Sequence, residues 1–122
     1  MKSYFFDTYA FYEIIEGNKN YEPYAKDVVI ITTKLNLMEL HYGLLLKHGK
    51  KAADRYYDSL CLFAVEISDD IIKSANELRA MPKKRDLSCV DCIGYTIAGM
   101  RGIKFLTGDR QFRDLENVEF VK

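Results

Sequence analysis

An excess of charge of either sign is missing from this 122-residue chain, in which 18 lysines and arginines face 18 aspartates and glutamates. The total therefore lacks the basic footprint common among nucleic-acid binders. Proline occurs twice, and no repeat or low-complexity tract offers a linker at which to divide the chain. One domain spanning residues 1–122 is expected. Cysteine is scarce and odd in number, at Cys61, Cys89 and Cys92, which excludes a disulfide framework and favours reduced thiols. Met1 to Phe6 runs into Asp7 before a signal-like region forms, and no stretch approaches 18 uncharged apolar residues. Neither secretion nor a membrane span is expected, and the chain reads as cytoplasmic.

What is present alternates regularly. Five short runs rich in β-branched and aromatic residues read as strands: Tyr4 to Phe6, Val28 to Ile31, Leu60 to Val65, Ile103 to Leu106 and Val118 to Val121. Helical patterns lie between them. One covers Thr8 to Glu16 before Gly17, another Leu37 to Lys47 before Gly49, and a third Lys50 to Ser59. Ser68 is placed to cap a helix carrying Asp69 and Asp70 in its first turn, with Ile71, Ile72, Ala75 and Leu78 on one face and Pro82 at its end. The last helix runs from Ser88 to Arg101 and stops at Gly102. Strands separated by helices predict a mostly parallel sheet with right-handed crossovers and helices on both faces. In such sheets chemistry collects beyond the carboxyl ends of the strands.

Acids gather at that edge. Asp7 closes the first strand, with Thr8 after it, and Asp109 follows the fourth in Thr107-Gly108-Asp109. Glu39 and Asp91 are expected in the first turns of helices, each three residues after a capping type, Asn36 and Ser88. Taken singly, either acid is accounted for by a capping box and the helix dipole. Four carboxylates at one edge are another matter, because they repel each other unless a cation neutralises them. An all-oxygen set without His or Cys suits Mg²⁺ or Mn²⁺.

Asp7-Thr8 after an aromatic strand, Glu39 in Asn36-Leu37-Met38-Glu39-Leu40, Asp91 in Leu87-Ser88-Cys89-Val90-Asp91, and Thr107-Gly108-Asp109-Arg110-Gln111-Phe112 together resemble the PIN domain, and more closely the VapC-type ribonuclease toxins. The resemblance runs over essentially the whole chain. It implies a PIN-like three-layer α/β/α fold with a central, mostly parallel five-stranded sheet and a Mg²⁺- or Mn²⁺-dependent endoribonuclease acting on single-stranded or structured RNA. It further implies the toxin of a type II toxin–antitoxin pair, dimeric and neutralised by a cognate antitoxin. Asp7, Asp91 and Asp109 are then expected as metal ligands, with Glu39 a further ligand or the group that orients the attacking water. Thr8 and Thr107 would hydrogen-bond these carboxylates, and the products would carry 5′-phosphate and 3′-hydroxyl ends. Cys92, Gly94 and Tyr95 depart from the small apolar residues usual after the third acid, which bears on pocket shape.

Other signals carry less. Cys89-x-x-Cys92 at a helix start has the spacing of a redox pair, but the polar Lys83-Lys84-Arg85-Asp86 before it is no strand. Tyr9, Tyr12 and Tyr42 are candidates for stacking on RNA bases, although packing is the commoner role. Phe11 and Tyr12 are candidate dimer or antitoxin contacts. His41 and His48, seven residues apart, form no helical metal pair, and Lys50-Lys51 and Lys83-Lys84-Arg85 are short basic runs. A receiver domain would need an acid pair after the first strand and a Lys after the last, and a haloacid-dehalogenase phosphatase would need Asp where Tyr9 stands. A catalytically silent protein-binding module is the remaining alternative. Setting the four acids aside leaves 18 basic residues against 18 − 4 = 14 acidic ones. The surround of the acidic site is thus basic by 4, and neutrality does not exclude RNA.

Overall fold

The computed structural model describes residues 1–81 and 85–122. Its sheet contains four parallel strands, β1 (Lys2–Phe6), β2 (Val28–Ile31), β3 (Lys104–Thr107) and β4 (Val118–Phe120), in the order β2-β1-β3-β4. Five α-helices accompany them: α1 (Thr8–Ile15), α2 (Lys34–His48), α3 (Lys50–Leu60), α4 (Asp69–Ala80) and α5 (Cys89–Arg101). No described helix is long and apolar enough to cross a membrane.

Side chains alternate across a strand, so a central strand covered on both sides must be apolar at every position. β1 meets this requirement over Tyr4, Phe5 and Phe6, its buried residues, while Lys2 and Ser3 lie at its more exposed start. Tyr4 and Phe6 join Leu106 in a core with Phe11, Leu40 and Leu44, beneath α1, α2 and α3. Phe5 and Phe105 point the other way, into a second core with Ile97 and Phe112 beneath α4 and α5. The result is a three-layer α/β/α arrangement.

On the second face, α5 lies close to the sheet because Gly94 has no side chain. A Cβ there would meet the rings of Phe5 and Phe105, which stack with centroids 5.6 Å apart and planes at 9°. Gly94→Ala is expected to destabilise the chain by about 1–3 kcal/mol through overpacking. A urea midpoint equal to wild type would contradict this contact. The departure from small apolar residues in this helix thus faces inward: Cys92 and Gly94 are buried, and the Tyr95 ring packs on Phe105 and Phe112.

Several expectations require correction. The strand expected over 60–65 does not form, because α3 continues through Leu60 and a 3₁₀ turn follows at Cys61–Phe63. Only Ala64 bridges Thr32, through Thr32 N–H to the Phe63 carbonyl (3.0 Å) and Val65 N–H to the Thr32 carbonyl (2.9 Å). A short apolar run has no periodicity that separates a buried strand from a helix end. Leu62, 83% exposed, marks the second. The sheet is therefore four-stranded, with a one-residue bridge where the fifth strand was expected.

The second correction concerns α2, which starts at Lys34 with Thr33 as its cap. Asn36 is the helix's third residue and no cap, and Glu39 stands in the second turn, beyond the reach of a first-turn dipole argument. Ser88 and Asp91, by contrast, form the reciprocal capping box expected of them. Phe11 lies in the core beside Phe6, with ring centroids 5.3 Å apart, and is no surface contact. Ile72, expected on the packed face of α4, is exposed. Pro82, Lys83 and Lys84, read above as a helix stop and part of a basic run, lie outside the described residues.

Candidate active site

Chain order sets where the site falls. From β1 the chain moves outward to β2, then returns through α2–α5 to β3 on the opposite side of β1. The carboxyl ends of β1 and β3 therefore flank a topological switch point, where open parallel sheets bind ligands. Asp7 immediately follows β1, and Asp109 comes two residues after β3. Helices in βαβ units run antiparallel to the strands, so α2 and α5 start at this same edge and bring Glu39 and Asp91 with them.

Asp7 is 3% exposed and holds two hydrogen bonds. Its Oδ1 accepts from Thr8 N–H at 2.9 Å, capping α1, and its Oδ2 accepts from the Thr107 hydroxyl at 2.7 Å. Thr107 Oγ1 in turn accepts from Asp109 N–H at 3.1 Å, linking both acids to one buried hydroxyl. Asp109 Oδ1 accepts from Gln111 N–H at 3.0 Å. Between them, Gly108 allows β3 to end against α1, since a Cβ there would strike the Tyr9 ring and the Val121 carbonyl. Asp91 Oδ2 accepts from Ser88 N–H at 3.0 Å, and Glu39 Oε1 accepts from the Thr8 hydroxyl at 2.8 Å.

The four acids share one electrostatic neighbourhood. Burial pushes the Asp7 carboxyl up to about 7; the Thr107 and Thr8 hydrogen bonds oppose this, while the charges of Asp91 and Asp109 add to it. Asp91 is also raised, first by burial and further by Asp109 and Asp86, against the hydrogen bonds from Ser88. Glu39 is raised by partial burial of its carboxylate and by Asp91, with Thr8 opposing. Buried like charges destabilise one another, and protonation or a nearby cation relieves that repulsion. Among the described residues, no three His, Cys, Asp or Glu side chains are grouped tightly enough to enclose a metal unaided.

Several residues at this edge escaped the sequence reading. Asn36, 1% exposed, donates from Nδ2 to Thr8 Oγ1 at 3.2 Å. Arg85 donates to the Gln111 carbonyl at 2.8 Å and to Asp114 at 2.7 Å, and Gln111 Oε1 accepts from Asp86 N–H at 3.2 Å. These bonds join the segment before Asp91 to the segment after Asp109. Lys122 donates to the Gly108 carbonyl at 3.1 Å and sits 5.2 Å from the centroid of the Tyr9 ring, placing a cation beside the acids. No local spacing announces any of these contacts, which span 14 to 113 residues; the position of Asn36 three residues before Glu39 suggests only a cap, and the place of Arg85 in a basic run suggests only charge.

The other candidates resolve into structural partners. His41 pairs with Asp54 at 2.8 Å and His48 with Glu16 at 3.1 Å. Tyr12 lies over Gly43, and Tyr9 packs near Tyr21, with centroids 6.4 Å apart. Tyr42 is 63% exposed. Cys61 is half-buried, Cys92 buried and Cys89 exposed, and none of the three is in a disulfide.

Fold and site together define a parallel α/β domain whose switch point carries mutually repelling carboxylates. The chain belongs to the PIN domain family, whose model matches residues 4–118. No curated protein matches it in sequence. Among solved structures it is similar to VapC20 of Mycobacterium tuberculosis, described as a toxin that cleaves the sarcin–ricin loop, with 21% identity, 98% and 99% of the two chains covered and a TM-score of 0.81. A toxin–antitoxin complex from Klebsiella pneumoniae gives 21% identity, 93% of each chain and a TM-score of 0.73. VapBC2 from Rickettsia felis, bound to a DNA fragment of its promoter, gives 19% identity, 98% and 99% coverage and 0.70. At these identities the likeness is one of fold.

Proposed function

We propose that the protein is a divalent-metal-dependent endoribonuclease and the toxin of a type II toxin–antitoxin pair. The observation that carries this reading is the buried Asp7, its carboxyl raised to about 7 at a switch point shared with Asp91 and Asp109. Membership of the PIN domain family and similarity in fold to toxins of toxin–antitoxin pairs support it.

The donor set fits a hard cation. Asp7, Asp91 and Asp109 offer oxygen only, and a cage too open to enclose a metal unaided leaves water and phosphate oxygens to complete the shell, as Mg²⁺ and Mn²⁺ accept. Once bound there, the cation supplies charge neutralisation at the scissile phosphate and acidifies water for in-line attack. The chain's own groups do the remaining work. Asp7 gives up its proton on loading, Thr107 holds Asp7 and Asp109 in register, and Glu39, fixed by Thr8, orients the attacking water or adds a ligand. The leaving 3′ oxygen takes its proton from solvent, and the products carry 5′-phosphate and 3′-hydroxyl ends. Lys122 adds positive charge beside Asp109 that attracts a polyanion.

An antitoxin partner and a homodimer belong to the same proposal. Met38, Tyr42 and Leu46 on α2 are 58%, 63% and 70% exposed beside Glu39, an apolar surface that a partner would cover.

The test is cleavage of total cellular RNA by purified protein in millimolar Mg²⁺, with and without EDTA. Discrete fragments that vanish with EDTA and return with Mg²⁺ or Mn²⁺ are expected. Cleavage that persists in EDTA would refute the metal role, and no cleavage of any RNA would leave the silent binding module as the better reading.

A further inference from the structure

We infer that Asn36 is a positioning residue that acts through Thr8 to hold the Glu39 carboxylate in place for the reaction, an inference that rests on the function proposed above. The α2 cap does not explain an asparagine here. That cap needs only the backbone N–H of residue 36, which donates to Thr33 Oγ1 at 3.2 Å and which any residue but proline supplies. An asparagine side chain at 1% exposure costs desolvation, and asparagine is a poor helix former. Both ends of its amide are nevertheless bonded, and their direction is determined.

Thr33 Oγ1, having accepted the Asn36 N–H, donates its own proton to Asn36 Oδ1 at 2.7 Å. With Oδ1 occupied, Nδ2 is the end that faces Thr8 and donates to its Oγ1 at 3.2 Å. Thr8 has then accepted, and its proton goes to Glu39 Oε1 at 2.8 Å, with the Asn36 carbonyl a more distant 3.4 Å away. The order Thr33, Asn36, Thr8, Glu39 is thus a one-way relay of donors from the core to a carboxylate. It crosses from α2 to the first residue of α1, next to Asp7. One oxygen of Glu39 is held by the relay, and the other is left for the reaction. Aspartate at 36 would have no donor for Thr8, which would then turn to it and release Glu39.

The test is a kinetic cycle on an RNA oligonucleotide spanning a site that wild type cuts, in saturating Mg²⁺. Asn36→Leu keeps the side-chain size and the backbone cap, and is expected to lower kcat by about 10–100-fold with KM little changed, the usual scale for a group that orients a catalytic one. Glu39→Gln lowers kcat by itself. In the double variant Asn36→Leu/Glu39→Gln the loss should match that of Glu39→Gln within about twofold, since the asparagine acts only through the glutamate. Additive losses would assign Asn36 a general structural role and overturn the inference, as would undiminished kcat in folded Asn36→Leu. If circular dichroism finds that variant unfolded, Thr8→Val cuts the same relay at its exposed end and carries the same cycle, with Thr8→Ser expected to recover most of the loss. A wild-type chain that cuts no RNA overturns the proposed function and this inference with it. A wild type that cuts while the cycle is additive overturns the inference alone.

Discussion

Asp7→Asn is expected to abolish RNA cleavage while leaving, at pH 7.5 without divalent cations, a protein more stable than wild type. The two effects have one origin. In the folded chain burial holds the Asp7 carboxyl at about 7, against 3.8 for the free side chain. Ionising it inside the fold therefore costs stability at neutral pH, up to roughly 4 kcal/mol for a shift of about three units. Asparagine has nearly the same shape and no charge. Its Oδ1 keeps the bond from Thr8 N–H, whereas its Nδ2 meets a Thr107 hydroxyl that now has to accept, leaving that hydroxyl's proton unplaced at a cost of about 1 kcal/mol. A net gain of about 1–3 kcal/mol in urea unfolding should accompany a loss of cleavage of at least 10³-fold. Undiminished cleavage would remove Asp7 from the reaction, and a destabilised variant would mean that its charge is already compensated in the metal-free fold.

The second large effect is the dependence on pH and metal. Asp7 is raised in the folded state, so between about pH 4 and pH 7 the folded chain binds more protons than the unfolded one. Stability from this group is therefore fully present below pH 4, falls as pH rises through 7 and is level above it. Asp91 and Glu39 are shifted in the same direction and steepen the fall. The melting temperature of metal-free protein should accordingly drop between pH 5 and pH 8. Mg²⁺ should reverse this, because it favours the ionised carboxylates and binds only the folded state, adding about 1.4 kcal/mol at ten times its Kd. Since loading displaces a proton, apparent Mg²⁺ affinity should rise by up to about tenfold per pH unit below 7 and flatten above it. Calorimetric titrations at pH 6 and pH 8 with equal affinities would refute the coupling.

Both predictions need atomic detail, yet the fold and the four acids are legible without it. β1 is apolar at successive positions because it is covered on both faces, and Asp7 stands out as the first charge after it. Ser88 and Asp91 form their capping box because that motif is local, closing over three residues. Legibility stops where the pattern is short or the partner distant. The apolar residues 60–65 match a strand and a helix end equally well, and the actual outcome depends on α3 continuing past Ser59. The spacing of Asn36 and Glu39 imitates a capping box, but Thr33, three residues earlier, takes the cap and moves Glu39 into the second turn.

Alternation of apolar and helical segments determined a parallel α/β architecture, and the position of each acid relative to its element placed all four at one edge. Those are consequences of periodicity and chain direction, which local sequence contains. Tertiary structure alone decided how the acids are held: Thr107 reaches Asp7 across 100 residues, Asn36 reaches Thr8 across 28, and Arg85 reaches Asp114 across 29. It also decided how charged they are, because the raised carboxyl of Asp7 comes first from burial, and burial belongs to the packed layers and to no single segment.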